Sequence, residues 1–251
     1  MFTVNPVPEP LSSLLRFLSP SVLAFSGGSD SSYLLYACRE SGVEAKPIFV
    51  KGAFQTEREL HRAREFCSSL GIPLIVLQAD VLSDPAIAAN TESRCYLCKN
   101  RIFRMLLNAS DGIVIDGTNA SDDYAKRPGM RALEELGIRS PLRECGLSKK
   151  DVSDLSRIAS LPTWNLPSDS CLATRIPTGT TITPELLERT EKAEAEIGGM
   201  GFLGFRVRTV GSGARLETLP SQSGLLESRK DKIAEILLKY YESVTFAERS
   251  G

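Results

Sequence analysis

At 251 residues, with 42% hydrophobic and 24% charged side chains, the chain has the balance of a soluble globular protein with one large domain or two modest ones. A net charge of −1 supplies no general basic field, so no nucleic-acid partner is expected. No apolar run approaches a membrane span and residues 1–10 lack a basic leader-like start, so no membrane association is expected and the expected location is the cytoplasm.

In chain order, residues 22–25, 47–50, 74–77 and 113–115 are short apolar runs that predict buried parallel strands. Residues 31–41, 56–70 and 98–108 carry helical spacing and predict helices between them. This alternation predicts an α/β fold built on a doubly wound parallel sheet, with ligands at the carboxyl ends of the strands. Residues 122–128 are polar and predict a loop, and 128–137 predict a helix stopped by Gly137. Ser148-Lys149-Lys150-Asp151 opens another helix that ends near Ala159. Residues 161–177 are rich in Pro, Ser and Thr without a period, which suits a linker or an active-site loop. Thr183-Pro184-Glu185 supplies a cap, a first-turn proline and an acid, so a helix is predicted from there to about Ile197. Residues 202–210 and 214–219 alternate around Gly211-Ser212-Gly213 and predict a hairpin. An amphipathic helix over 229–241 and a strand over 244–246 complete a smaller α+β C-terminal domain. The expected division is 1–178 and 179–251.

The string Ser26-Gly27-Gly28-Ser29-Asp30-Ser31-Ser32 stands between the first predicted strand and the first predicted helix. Two glycines let the backbone approach a ligand, the serines offer hydroxyls, and the helix start offers unpaired N–H groups. Asp30 is placed to cap that helix or to help hold a metal. The string predicts a phosphate-binding turn, and it is not a Walker A loop because Gly-x-x-x-x-Gly-Lys-Ser/Thr is absent. Gly117-Thr118-Asn119 follows the fourth strand and is expected to face the same crevice.

The chain has one histidine, His61, in a charged helical stretch, so sulfur or soft-metal chemistry must rest on its six cysteines. Cys95-Tyr96-Leu97-Cys98 lies between Arg94 and Lys99, and Cys171 stands in Asp169-Ser170-Cys171-Leu172-Ala173-Thr174-Arg175. Flanking arginines favour thiolate at both places. No strand directly precedes the pair as in a thioredoxin-like motif, and a zinc site lacks its second Cys-x-x-Cys. A third cysteine brought in by folding would suit an iron–sulfur cluster with one iron left open. Cys38 and Cys67 read as core residues, and Cys145 as a loop residue. Phe205-Arg206-Val207-Arg208 puts two guanidiniums on one face of a strand, which suits a phosphate or an ordinary solvated sheet edge. Glu194 and Glu217 are placed to neutralise those arginines or to bind a metal.

Residues 26–32 resemble the PP-loop of the ATP pyrophosphatase superfamily, whose members cleave ATP between its α and β phosphates. Further strings resemble the LarE family of ATP-dependent sulfur transferases. They are Arg94-Cys95-Tyr96-Leu97-Cys98-Lys99, Gly117-Thr118-Asn119 with Asp122-Asp123, Arg127-Pro128-Gly129, Arg139-Ser140-Pro141-Leu142, Cys171-Leu172-Ala173-Thr174-Arg175-Ile176-Pro177, and Phe205-Arg206-Val207-Arg208. The resemblance implies adenylation of a carboxylate of a pyridinium dicarboxylate mononucleotide with ATP and Mg2+, then conversion to a thiocarboxylate. It implies that Ser26, Gly27, Gly28, Asp30, Ser31, Ser32, Gly117 and Arg127 hold the nucleotide, and that Arg206 and Arg208 hold the substrate phosphate. Cys171, Thr174 and Arg175 would then act at the reacting centre, and Glu194 and Glu217 would bind Mg2+. Some relatives sacrifice the sulfur of one cysteine. This chain, with Cys95, Cys98 and Cys171, matches those that hold a [4Fe-4S] cluster supplied by a sulfide donor. The resemblance also implies a homo-oligomer, a hexamer, assembled through the C-terminal domain. A tRNA thiolase, an ammonia-using PP-loop synthetase and a nucleotide-binding sensor are the alternatives.

Overall fold

Four short runs form the strands β1 (Ser21–Ala24), β2 (Ala45–Gly52), β3 (Ile75–Ala79) and β4 (Ile113–Asp116), all parallel, in the order β3-β2-β1-β4. A parallel bridge from Ile115 to Arg139 continues the sheet past β4, with Asp116 N–H donating to Arg139 O at 2.9 Å. Strand order reverses between β1 and β4, which opens a crevice at their carboxyl ends. The computed structural model describes residues 5–123, 129–167 and 169–249.

The helices up to residue 158 are α1 (Glu9–Phe17), α2 (Ser29–Glu40), α3 (Glu57–Ser69), α4 (Pro85–Ala88), α5 (Arg94–Asn108), α6 (Gly129–Glu135), α7 (Pro141–Glu144) and α8 (Lys149–Ile158), and all but α4 belong to this first unit. Leu23, Tyr33, Leu34, Phe49, Phe66 and Ile115 form the centre of its core. Helix α1 buries Leu11 and Leu15 against that core. It is absent from the elements expected from sequence; Pro10 lies in its first turn, where no N–H is needed. Helix α5 starts at Arg94, not at Cys98 as expected, so both cysteines of the pair are helical. Helix α6 comes close to it there: a Cβ on Gly129 would lie 3.1 Å from Cys95 Sγ and 2.6 Å from Lys99 Cδ. Helix α8 opens with the reciprocal bonds of a capping box between Ser148 and Asp151.

The second unit comprises Ala53–Thr56, Leu82–Glu92 and Pro167–Gly251. The division at 178 expected from sequence falls later than this one. Its elements are α9 (Pro184–Gly198), β5 (Arg206–Val210), β6 (Gly213–Thr218), α10 (Ser223–Leu238) and β7 (Val244–Glu248), besides α4. Strands β5 and β6 form the expected hairpin, and β7 adds to β6 in parallel. Ile197, Phe202, Val207, Leu216, Ile233 and Leu237 fill a separate core. Helix α10 begins at Ser223, earlier than the amphipathic stretch at 229 suggests.

The two sides of the crevice meet at Gly117. A Cβ there would lie 2.8 Å from Ser31 N and 3.1 Å from Ser31 Cα, both backbone atoms of α2. Gly117→Ala should therefore lower the unfolding free energy by about 1–3 kcal/mol through overpacking. Urea denaturation measures this, and an unchanged midpoint would mean that the turn and α2 separate freely.

Candidate active site

Strand β1 runs into Phe25 and then the turn Ser26-Gly27-Gly28, and α2 starts at Ser29. Gly27 has φ +68°, and its missing side chain admits Ala63 of α3, whose Cα would be 3.1 Å from a Cβ. Arg62 Nε donates to Gly27 O at 2.9 Å. Ser26 Oγ accepts from Gly28 N–H at 3.3 Å and lies 3.1 Å from Ser31 Oγ, which donates to Gly28 O at 3.2 Å. Ser32 N–H bonds back to Gly28 O at 3.0 Å, so the amides of Ser29, Asp30 and Ser31 precede the helical ladder. Ser32 Oγ is buried with no hydrogen-bond partner among the described residues. Amides at a helix start, with hydroxyls around them, make an anion-binding turn.

Asp30 does not cap α2; Gly28 occupies the cap position and makes no side-chain bond. Asp30 instead accepts from Lys149 Nζ at 2.8 Å and from Asn119 Nδ2 at 3.4 Å. Lys149 Nζ also donates to Ser29 Oγ at 2.6 Å. Across the crevice, the buried Asp116 anchors the turn after β4. It accepts from Thr118 Oγ1 at 2.5 Å and from Ser140 Oγ at 2.6 Å. Burial lifts its carboxyl above the ordinary range despite these donors.

In the second unit Cys171 leads into a short 3-10 turn, Leu172–Arg175. Arg175 is only 3% exposed and all three of its guanidinium nitrogens are engaged. It forks onto Glu194 at 2.9 and 3.2 Å, reaches Asp169 at 3.0 Å, and donates to the carbonyls of Ser170 at 2.5 Å and Cys171 at 3.3 Å. Glu194 also accepts Val207 N–H at 2.8 Å, which ties the turn to β5. The far side of the loop is held by distant backbone. Leu172 N–H donates to Phe54 O at 2.9 Å, and the buried Asn90, at φ +53°, donates to Pro177 O at 2.8 Å.

Residues 174–178 form one wall of a cavity of about 580 Å³, and Arg206, Arg208, Arg215 and Glu217 line the other. Arg208 donates to Glu217 at 2.7 Å and to Thr174 O at 2.7 Å, and Arg215 pairs with Glu217 at 3.3 Å. Arg206 is different. Among the described residues it makes no hydrogen bond or ion pair, and its Nε is buried without a partner. Burial first, then Arg249, Arg175 and Arg208, bring its pKa down to about 10. It remains a cation at neutral pH and makes no ion pair among the described residues, with Asp169 the carboxylate that acts on it from a distance, so its charge is available to an anion in the cavity.

Cys95 and Cys98 lie one turn apart on α5, partly exposed, and Cys171 is partly exposed in the second unit. Two thiols at this spacing on one helix fit two ligands of an iron–sulfur cluster. Among the described residues no three His, Cys, Asp or Glu side chains stand together as a metal-binding group. Glu194 and Glu217, the expected Mg2+ ligands, give their carboxylates to Arg175 and to Arg208 and Arg215. Burial pushes the Cys38 thiol up to about 12 and the Cys67 thiol up to about 11, as suits core residues. Arg127 lies outside the described residues.

Comparison with known proteins adds independent information. The family model for the queuosine biosynthesis protein QueC matches residues 20–102, which hold the phosphate loop. The pyridinium-3,5-bisthiocarboxylic acid mononucleotide synthase of Lactiplantibacillus plantarum is 30% identical over 220 residues, 85% of this chain and 80% of its own. The chain belongs to the LarE-like PP-loop family. Two uncharacterized proteins align over similar lengths. That of Synechocystis is 34% identical over 85% of this chain and 82% of its own, and that of Methanocaldococcus jannaschii 30% over 84% and 82%.

Within this LarE-like chain, the loop residues and Gly117 come together as expected, and Arg206 and Arg208 share one cavity wall. Arg62, Asn90, Asp116 and Lys149 were not foreseen as site residues. Each bonds to a segment at least 24 positions away in sequence, which local patterns do not reveal. Arg175 emerges as the residue that positions the Cys171 turn. Arg175→Met strands Glu194 without its partner and should cost about 3–5 kcal/mol of stability. Chemical denaturation measures it; a loss under about 1 kcal/mol would mean the turn holds itself.

Proposed function

We propose that this protein is an ATP-dependent sulfur transferase that adenylates a carboxylate of pyridinium-3,5-biscarboxylic acid mononucleotide and converts it to a thiocarboxylate, a step in assembling a nickel-pincer nucleotide cofactor. The observation that carries this reading is Arg206, a guanidinium that makes no ion pair among the described residues, in a cavity walled by the Cys171 turn. The name of the L. plantarum relative supports the choice of substrate.

A carboxylate is a poor electrophile, and adenylation gives it a leaving group. The substrate carboxylate oxygen attacks the α-phosphorus of ATP, and the bond to the β-phosphate oxygen breaks. Ser26, Gly27, Gly28, Ser31 and Ser32 hold the departing pyrophosphate through amides and hydroxyls, while Gly117 and Arg127 complete the nucleotide site. Mg2+, when bound with ATP, spreads the developing charge. Arg206 and Arg208 hold the phosphate of the mononucleotide, and Thr174 and Arg175 shape the wall beside it. A sulfide nucleophile then attacks the acyl carbon and AMP leaves. Cys95, Cys98 and Cys171 would hold a [4Fe-4S] cluster, which would supply sulfide and be recharged by a sulfide donor. In this reading the first unit carries activation, the second, which includes the Cys171 turn, carries substrate binding and assembly into a hexamer, and the protein works in the cytoplasm.

The test is AMP release from Mg·ATP, compared with the pyridinium mononucleotide and with tRNA. The mononucleotide is expected to stimulate release and tRNA to have no effect; the reverse would make the protein a tRNA thiolase. Arg206→Met is expected to raise KM for the mononucleotide by about ten- to a hundredfold, with KM for ATP unchanged. Anaerobically reconstituted protein should be brown, with broad absorption near ~400 nm. Colourless protein, or loss of hydrogen sulfide from Cys171 by mass spectrometry after turnover, would replace the cluster by a sacrificed cysteine.

A further inference from the structure

The phosphate loop has an electrostatic defect. Its seven residues, 26–32, include one ionisable side chain, and it is an acid, Asp30. Amides and hydroxyls favour a polyphosphate there, but the carboxylate opposes it. No lysine or arginine within the loop offsets this. Two cations reach the loop from elsewhere in the chain: Arg62 Nε is held on Gly27 O at 2.9 Å, and Lys149, 119 positions from Asp30, meets the carboxylate itself, with Nζ 2.8 Å from Asp30 Oδ1 and 2.6 Å from Ser29 Oγ.

We infer that Lys149 is a ligand of the polyphosphate of the bound nucleotide, the cation that the loop does not contain. The inference rests on reading residues 26–32 as the pyrophosphate grip of ATP. Two features favour it over a purely structural ion pair. The pair is partly open to solvent, with side chains 37% and 25% exposed, a setting in which ion pairs stabilise folds little. The backbone beneath Lys149 is also fixed independently of it. Ser148 and Asp151 cap α8 reciprocally, and Lys149 N–H donates to Ser121 Oγ at 3.0 Å. The ammonium can therefore move on its four-carbon stem from Asp30 toward a phosphate oxygen while α8 stays in place. Its partners, Ser29 and Asp30, carry two of the amides at the start of α2, so the charge stands where an anion would arrive. As pyrophosphate departs and gains negative charge, Nζ–H donors at that point stabilise it.

The experiment measures Mg·ATP binding to the full-length protein by calorimetry, without a second substrate, for wild type, Lys149→Arg and Lys149→Met. Lys149→Met is expected to weaken binding by about ten- to a hundredfold, and Lys149→Arg to retain most of it. Wild-type affinity should also fall more steeply with added KCl than that of Lys149→Met. Equal affinities for wild type and Lys149→Met overturn the inference and leave the reading of the loop intact. Wild type that binds no Mg·ATP overturns that reading as well. If Lys149→Met does not fold, acetylation of the wild type read by mass spectrometry decides the question. Mg·ATP should protect Lys149 relative to Lys150, whose side chain is 85% exposed on the same helix. Unchanged labelling of Lys149 overturns the inference.

Discussion

Strand β1 is four residues long and is paired on both edges, to β2 and to β4. That double pairing is the constraint on which the first unit depends. It places the chain reversal between β1 and β4, so the turns that leave these two strands must face each other. Residues 26–32 and 117–119 are the turns in question, and Gly117 marks how closely they approach. Ladders on both edges of β1 fix its register against two neighbours, so the crevice has little freedom to shift. The bridge at Arg139 extends the same logic, because it delivers Ser140 to the buried Asp116 and braces the second turn from behind.

The second unit shows how one residue type serves two ends. Arg175 is buried and every nitrogen is satisfied by Glu194, Asp169 or a carbonyl of the Cys171 turn. Arg206, across the same cavity, has its Nε buried and unpartnered among the described residues, with other guanidiniums nearby. The first is a structural tie and the second a charge held ready for an anion. Arg208 stands between them, bonded to Glu217 and to Thr174 O, directly opposite Arg215 across the hairpin. Like charges opposite each other disfavour a hairpin, so Glu217 between them is needed to hold this wall together.

Much of this was legible from the residues alone. The four strands stand out as continuous apolar runs, although β3, at the sheet edge, is half-exposed and not buried as expected, and the loop after β1 has its chemistry in consecutive residues. The alternation in residues 205–208 correctly placed Arg206 and Arg208 on one side of β5. What alternation could not show is which guanidinium is already spent, because that depends on Glu217 and on Thr174, 34 positions away from Arg208. The same limit hid Lys149 at Asp30 and Glu194 at Arg175. Helix α1 has no counterpart among the elements expected from sequence, although Pro10 in its first turn is where a helix tolerates proline.

The turn that carries Cys171 is held from the other side by Phe54 and Asn90, both of which precede residues 93–166 of the first unit. Both lie in short excursions, Ala53–Thr56 and Leu82–Glu92, that belong to the second unit. The chain is thus two units in space but not two consecutive modules in the gene. An exchange of coding sequence at residue 167 would transfer the arginine cavity and leave behind the backbone that shapes its loop. Inheritance of the Cys171 turn is tied in this way to inheritance of the nucleotide-binding half, and the two are expected to diverge together rather than be shuffled.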